Sequence, residues 1–387
     1  MNIDADIVGR MVALRRDLHA NPELAFAEVR TSDLVARELT ACGFEVHRGL
    51  GRTGVVGTLR RGEGPAVGLR ADMDALPIQE ATGLPYASRN PGVMHACGHD
   101  GHVAMLLAAA SQLARAEDLR GTVHVIFQPA EECEGGGRAM VEDGLFRMFP
   151  CDTVWGLHNW PGLPLGAFAT CPGPIMASLD TFEIRVRGSG THAAMPERGI
   201  DTLVIASETV LALQTIVSRR IAPLDPAVVS ITQIHGGDAW NVIPDLATIR
   251  GTVRCLSESV RGKVAALITE IATGIARTHG GGAEVDYHTG YPATVNAPDA
   301  VPLALAAAAR VPTIPARHGN VAPSMASEDF AYMLQDCPGA YVWLGTDGAQ
   351  PSRPLHNPGF DFNDDALPIG AAFWVALATG ILEAKRA

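Results

Sequence analysis

The chain has 387 residues, 47% of them apolar and 19% charged, with a formal net charge of −12. That length suits two domains, the composition is that of a globular protein, and scattered Lys and Arg in an acidic chain argue against nucleic acid or an anionic membrane as partner. Seven cysteines, an odd number without regular spacing, suggest no disulfide framework and fit a reducing, cytoplasmic compartment. The acidic start Met1-Asn2-Ile3-Asp4 is not expected to be a signal peptide.

Apolar spacing at Ile7, Val8, Met11, Leu14 and Leu18 predicts a helix over 4–19, closed by Pro22. A second helix is expected over 31–42, stopped by Gly43. Short strands follow at 44–47, 54–60 and 66–70, the last emptying into Arg70-Ala71-Asp72-Met73-Asp74. Acidic residues at the carboxyl end of a buried strand sit where open α/β sheets carry their sites. Met94 to His102 then gathers three His, one Cys and one Asp in nine residues. Cys97 and His99, two apart, would leave one face of an extended segment, and a thiolate with an imidazole suits a borderline-soft cation such as zinc.

A helix over 103–116 and a strand over 122–127 lead to Glu131-Glu132. Vicinal carboxylates diverge, so one can bind a cation while the other takes a proton from water. A strand over 153–157 ends in His158, and another covers 341–344. His356 lies in a Pro-rich loop whose stiff backbone suits a ligand. The apolar stretch 366–382 is short, carries Pro368, and is expected to be a buried helix rather than a membrane span.

Rhythm changes near Leu179. A strand over 181–187, a helix over 201–219, strands over 228–235 and 247–256, a helix over 260–278 and a strand over 284–287 form the order β-α-β-β-α-β, a ferredoxin-like insert. The expected division is therefore 1–178 and 292–387 for a split catalytic domain, with 179–291 as a lid or dimerisation domain. Within the insert, His192, Asn241 and Arg254 are residue types that hold an oxyanion or a carboxylate. Taken singly, ordinary loop polarity explains them as well.

The motifs Arg15 through His19 with Pro22-Glu23-Leu24, Arg70 through Pro77, Met94 through His102 and Phe127 through Glu132 come first in order. His158 through Gly162, Gly188 through Pro196, Ser327 through Phe330 and Leu355-His356-Asn357 follow. Together they resemble the hippurate hydrolase and N-acyl-amino-acid amidohydrolase branch of the dinuclear metallo-aminoacylase and carboxypeptidase superfamily, over nearly the whole chain. The resemblance implies an α/β fold: a large zinc-peptidase-like catalytic domain with a mixed sheet between helices, interrupted by a smaller α+β lid. It implies two divalent metal ions (Zn, Mn, Co or Ni) held by Cys97, His99, Glu132, His158 and His356, with Cys97 between them. Glu131 would be the general base, and Asp72 would orient a metal-bound histidine. His192 would polarise the scissile carbonyl, and Asn241 and Arg254 would grip the substrate near its carboxylate. The implied reaction is hydrolysis of an N-acyl amino acid by a metal-activated hydroxide, in a homo-oligomer joined through the lid. Alternatives are a metallo-dipeptidase or carboxypeptidase, a thiol amidase using Cys97 with His99 or His102, and a metal-binding protein without turnover.

Overall fold

A computed structural model describes residues 3–311, 316–349 and 351–384. The chain forms two compact units: Met1–Ile175, Val295–Ala322 and Asp329–Ala387 make the first, Met176–Thr294 and Pro323–Glu328 the second.

The first unit is built on an eight-stranded mixed sheet. Its order is Glu45–Leu50, Gly54–Arg61, Gly121–Gln128, Ala66–Asp72, Thr153–Pro164, Gly339–Asp347, Phe168–Ala169 and Arg317–His318. Gly121–Gln128, Ala66–Asp72, Thr153–Pro164 and Gly339–Asp347 run parallel, so their carboxyl ends open on one edge. Strand alternation sorts their side chains between two faces. Leu69, Ala71, Val125, Phe127, Leu157 and Val342 join the main apolar core. Arg70, Asp72, Gln128 and His158, at the alternate positions, are equally buried but polar. Burying such groups is costly unless each is paired, so this second face is built for chemistry.

Helices Ala5–Ala20, His99–Ala114 and Leu367–Ala384 supply much of the core. His99–Ala114 is buried nearly all round, and a Cβ at Gly101 would sit 2.4 Å from the Phe362 ring. Only glycine lets that helix approach so closely. Leu367–Ala384 lies in a segment apolar enough to cross a membrane, yet every residue from Gly370 to Ala378 is buried inside the protein. It is a core helix, as its length suggested.

Two elements differ instructively from the sequence reading. The strand expected to stop before His158 runs on to Pro164, because Gly339–Asp347 pairs along it and sets Trp343 opposite His158. The helix expected from residue 103 begins at His99. Helices Gly136–Glu142, Ala300–Ala309 and Ala331–Asp336 were not predicted, being short or too uniformly apolar to show a period.

The second unit is a four-stranded antiparallel sheet in the order Ala227–Gly236, Leu246–Cys255, Asp180–Arg187 and Gly282–Thr289. Helices Thr202–Thr215 and Glu258–Thr278 pack against it around a separate apolar core, giving the ferredoxin-like arrangement. Asp201 caps the first helix by accepting from Leu203 N and Val204 N, and Ser257 caps the second by accepting from Val260 N. The first helix stops short of the predicted Arg219, giving way at Ile216 to a π turn.

Candidate metal centre

Asp72, Cys97, His99, Glu131, Glu132, His158 and His356 come together in the first unit. Three overlapping groups, Asp72–His99–His102–His158, Cys97–Glu132–His356 and His99–Glu131–Glu132, each keep their donor atoms within 4.8 Å of one another. Cys97 Sγ lies 3.4 Å from His158 Nε2, and His356 Nε2 lies 3.3 Å from Glu132 Oε2. His99 Nε2 is 3.8 Å from Glu132 Oε1.

Local backbone explains how residues so close in sequence converge. Gly98 has φ +95°, and a Cβ there would lie 2.4 Å from Asn159 Oδ1. The chain therefore turns at Gly98 and enters the helix at His99. The extended segment expected for Cys97 and His99 is not formed. Ala130 and His356 also take left-handed φ, +51° and +63°, a strained state for a non-glycine residue. The surroundings hold them there: Ala130 N donates to Glu28 Oε1 (2.9 Å) and His356 N donates to Ala96 O (2.8 Å).

Two histidines are aimed by their other nitrogen. His99 Nδ1 meets Asp74 O at 2.9 Å and His158 Nδ1 meets Asn159 O at 2.7 Å. Each thus donates Nδ1–H to a carbonyl and turns Nε2 inward, the nitrogen through which a metal would be bound.

Electrostatics point the same way. Burial, then Glu132, Glu131 and Asp72, push the Cys97 thiol well above its usual range. Burial holds His158 neutral. For His99, burial opposes the charge, but Asp72, Asp74 and Glu132 lift it to about 10. The carboxylates thus create a field that favours positive charge at the cluster. Among the described residues, His99 Nε2, Glu132 Oε1 and Asp74 Oδ1 are buried without a hydrogen-bond partner. Thiol, imidazole and carboxylate donors with unspent lone pairs in a negative pocket fit divalent cations.

His102 belongs to this cluster too, although the sequence reading gave it no place in a metal site. Its Nδ1 is 2.5 Å from Asp72 Oδ1, and Asn159 N donates to its Nε2 at 3.0 Å. Both nitrogens are engaged, so His102 orients Asp72 and is not free to bind metal. Asp72 Oδ2 accepts from Arg70 Nη1 (2.8 Å), while Arg70 donates on to Gln128 Oε1 (2.8 Å) and Asp329 Oδ1 (3.2 Å). Asp329 N donates to Glu131 Oε1 at 3.4 Å. The three-residue spacing of His99 and His102 is a signal of a shared helix face, but only once the helix is known to start at His99.

His192, Asn241 and Arg254 are carried by the second unit. Thr191–His192 pairs with Val242–Ile243, and Ala193 N donates to Asn241 O (2.9 Å), so His192 and Asn241 share one exposed two-stranded ribbon. Ala194 N donates to His192 Nδ1 at 3.0 Å, leaving Nε2 outward. Arg254 is half-buried, donates to Ser327 Oγ (2.9 Å), and has its pKa lowered by desolvation.

Thiol, imidazole and carboxylate donors at the carboxyl ends of parallel strands, with a further carboxylate beside them, define a metal-dependent hydrolase. The chain belongs to peptidase family M20/M25/M40, whose model matches residues 68–380. It is 42% identical to the hippurate hydrolase of Campylobacter jejuni over 379 residues, covering 98% of both chains. An N-acetylcysteine deacetylase of Bacillus subtilis is 40% identical, with 97% of both chains covered. The fold matches that of a Bacillus subtilis protein described as a dinuclear metal binding peptidase of this family. The TM-score is 0.86 and the identity 37%, over 98% of this chain and 99% of that one.

Proposed function

We propose that the chain is an amidohydrolase that cleaves N-acyl amino acids to a carboxylic acid and a free amino acid. The observation that carries this reading is the split between two adjacent carboxylates. Glu132 faces His99 and His356, while Glu131, 7% exposed, is held by the Asp329 backbone beside them. The substrates named for the two relatives, hippurate and N-acetylcysteine, are both N-acyl amino acids.

Cys97, His99, Glu132, His158 and His356 would hold two divalent ions, with Asp72 fixing the His99 side of the cage through His102 and Arg70. Such ions supply Lewis acidity and lower the pKa of a bound water. Glu131 accepts the proton as water oxygen attacks the amide carbon, then returns it to the departing amine. One C–O bond forms and one C–N bond breaks, with no change of oxidation state. His192 Nε2, left outward by its bond to Ala194, would steady the carbonyl oxygen. Arg254, half-buried and donating to the Ser327 hydroxyl, would pair with the substrate carboxylate, and Asn241 would brace the same end.

A second copy is the proposed partner. Leu203, Val204 and Leu211 of Thr202–Thr215, with Val228 and Ile234 of Ala227–Gly236, are exposed apolar side chains, and among the described residues that strand is an edge of its sheet. All seven cysteines are free, which supports a cytoplasmic setting.

The test is metal-loaded protein assayed on N-acetyl and N-benzoyl amino acids and on dipeptides, beside Glu131→Gln. The variant should keep its metal by elemental analysis and lose on the order of 10²–10⁴ in kcat. Undiminished turnover in Glu131→Gln would remove the general base and the reading with it.

A further inference from the structure

Arg15 of helix Ala5–Ala20 is buried outright, yet nothing in the reaction uses its charge. Its Nη1 donates to Asp361 Oδ1 at 2.9 Å and, more weakly, to Asp100 Oδ2 at 3.4 Å, while Nε donates to Asp364 Oδ1 at 2.8 Å. The Tyr86 hydroxyl donates to the other Asp361 oxygen at 2.7 Å, and the Tyr86 ring centroid lies 4.7 Å from Arg15 Cζ. A buried cation among carboxylates is costly to assemble and costly to break. The carboxylates are placed to a pattern. Asp100 follows His99 at the start of its helix, and Asp361 follows His356 in the same loop. One side chain thus joins the two segments that carry these candidate ligands.

The two segments do not need it equally. His99 sits in a helix with its Nδ1 on Asp74 O, and Asp100 keeps a second partner in His19 Nδ1 at 2.9 Å. The His356 segment has no such frame. Among the described residues, 351–363 form neither helix nor strand, and the His356 side chain is 53% exposed on a left-handed backbone. A ligand on such a loop is placed only as well as the loop is anchored. The anchors are His356 N on Ala96 O, Ala81 N on Pro358 O (each 2.8 Å), the buried rings of Phe360 and Phe362, and the Arg15–Asp361 ion pair. A guanidinium is a rigid fork, so this last anchor fixes direction as well as distance.

We propose that Arg15, braced by Tyr86, is a positioning residue for the metal pair. It sets the His356 loop against the start of the His99 helix, so the ion held by Cys97, Glu132 and His356 depends on it. Arg15 acts through Asp361 and Asp100 and is not itself a ligand. The inference rests on the reading of His356 as a ligand of one of the ions.

The experiment titrates metal-free wild type, Arg15→Met, Arg15→Lys, Tyr86→Phe and His356→Ala with Zn against a competing chelator, with bound ions counted by elemental analysis. Wild type should take up a pair of ions. Arg15→Met should bind the first within about threefold of wild type and the second on the order of 10–100-fold more weakly, the scale for a group that orients a ligand. Arg15→Lys keeps the charge without the fork and should recover part of the loss. Tyr86→Phe removes only the hydroxyl on Asp361 and should shift the second ion the same way by less. A role in stability alone would lower the thermal midpoint of the metal-free variant and leave both affinities unchanged, which overturns the proposal. Equal weakening of both ions overturns it as well. Should Arg15→Met fail to fold, Tyr86→Phe decides, and a wild-type second affinity there counts against Arg15. If His356→Ala still binds both ions tightly, His356 is no ligand and the reading of the site fails. If it loses the second ion while Arg15→Met keeps it, only the present inference fails.

Discussion

Around Cys97 and His158 the polar groups are buried and mostly held by one another, whereas His192 and Asn241 stand in solvent on a small two-stranded ribbon. The first arrangement is expensive: Asp72, Asp74, Glu131 and the imidazoles of His99, His102 and His158 are desolvated together, and strained backbone at Ala130 and His356 is kept in place by Glu28 and Ala96. The second costs almost nothing until a ligand arrives. A cation cage has to exist before the ion does, because its donors must converge against their mutual repulsion. Groups that meet only substrate can wait in water and be desolvated by binding.

The sharpest way to break this comparison is to take the cation away. Chelation should abolish amide cleavage and lower the thermal midpoint of the first unit, with Mn or Zn restoring both. Stabilisation by an ion at about 100 times its Kd is worth roughly 2.7 kcal/mol by mass action. Cys97→Ser should lower the metal stoichiometry measured by elemental analysis. A chelated protein with full activity and an unchanged midpoint would mean that the buried donors serve some other purpose.

Smaller effects should follow from the exposed groups. His192→Ala is expected to lower kcat by on the order of 10²-fold, since a donor to a developing oxyanion acts in the transition state. Arg254→Ala should instead raise KM by about 10-fold or more, the scale of one charged hydrogen bond. Both variants should keep wild-type metal content and melting behaviour. If either loses metal, the division between caged and waiting groups is wrong.

The last effect leaves activity alone and concerns stability. Burial opposes charge on His19, but hydrogen bonds to Asp100 and Glu80 outweigh it and raise its pKa to about 9. A base raised above its unfolded value of about 6.5 contributes fully below that pH, and the contribution fades as pH climbs through 9. About 3 kcal/mol of first-unit stability should therefore be lost between these limits. Four of the five tryptophans, Trp155, Trp160, Trp343 and Trp374, lie in the first unit, and Trp240 of the second is already fully exposed, so the change in tryptophan fluorescence in urea reports mainly on the first. His19→Gln should flatten the alkaline slope.

Much of this was open to reading along the chain. The β-α-β-β-α-β order of the second unit follows from local periodicity, because strands such as Asp180–Arg187 and Leu246–Cys255 are half-buried and alternate. The donor types at Cys97, His99, Glu132, His158 and His356 were visible as residues, since the chemistry of a ligand is the side chain's own. Other features were hidden. Nothing local shows that the strand through His158 continues to Pro164, because its continuation depends on a partner strand nearly two hundred residues away.

Sequence by itself settled which elements form in the second unit and which atoms are able to bind a cation, for both are properties of short stretches or single side chains. Tertiary structure alone decided the direction of each donor. The left-handed turn at Gly98 starts a helix at His99, His102 is spent on Asp72, and Arg70 is locked between Asp72 and Asp329. The meeting of Arg15 with Asp100 and Asp361 likewise required three segments to be brought together. Those outcomes arise from hydrogen bonds and close contacts between segments far apart in the chain, which no local pattern encodes.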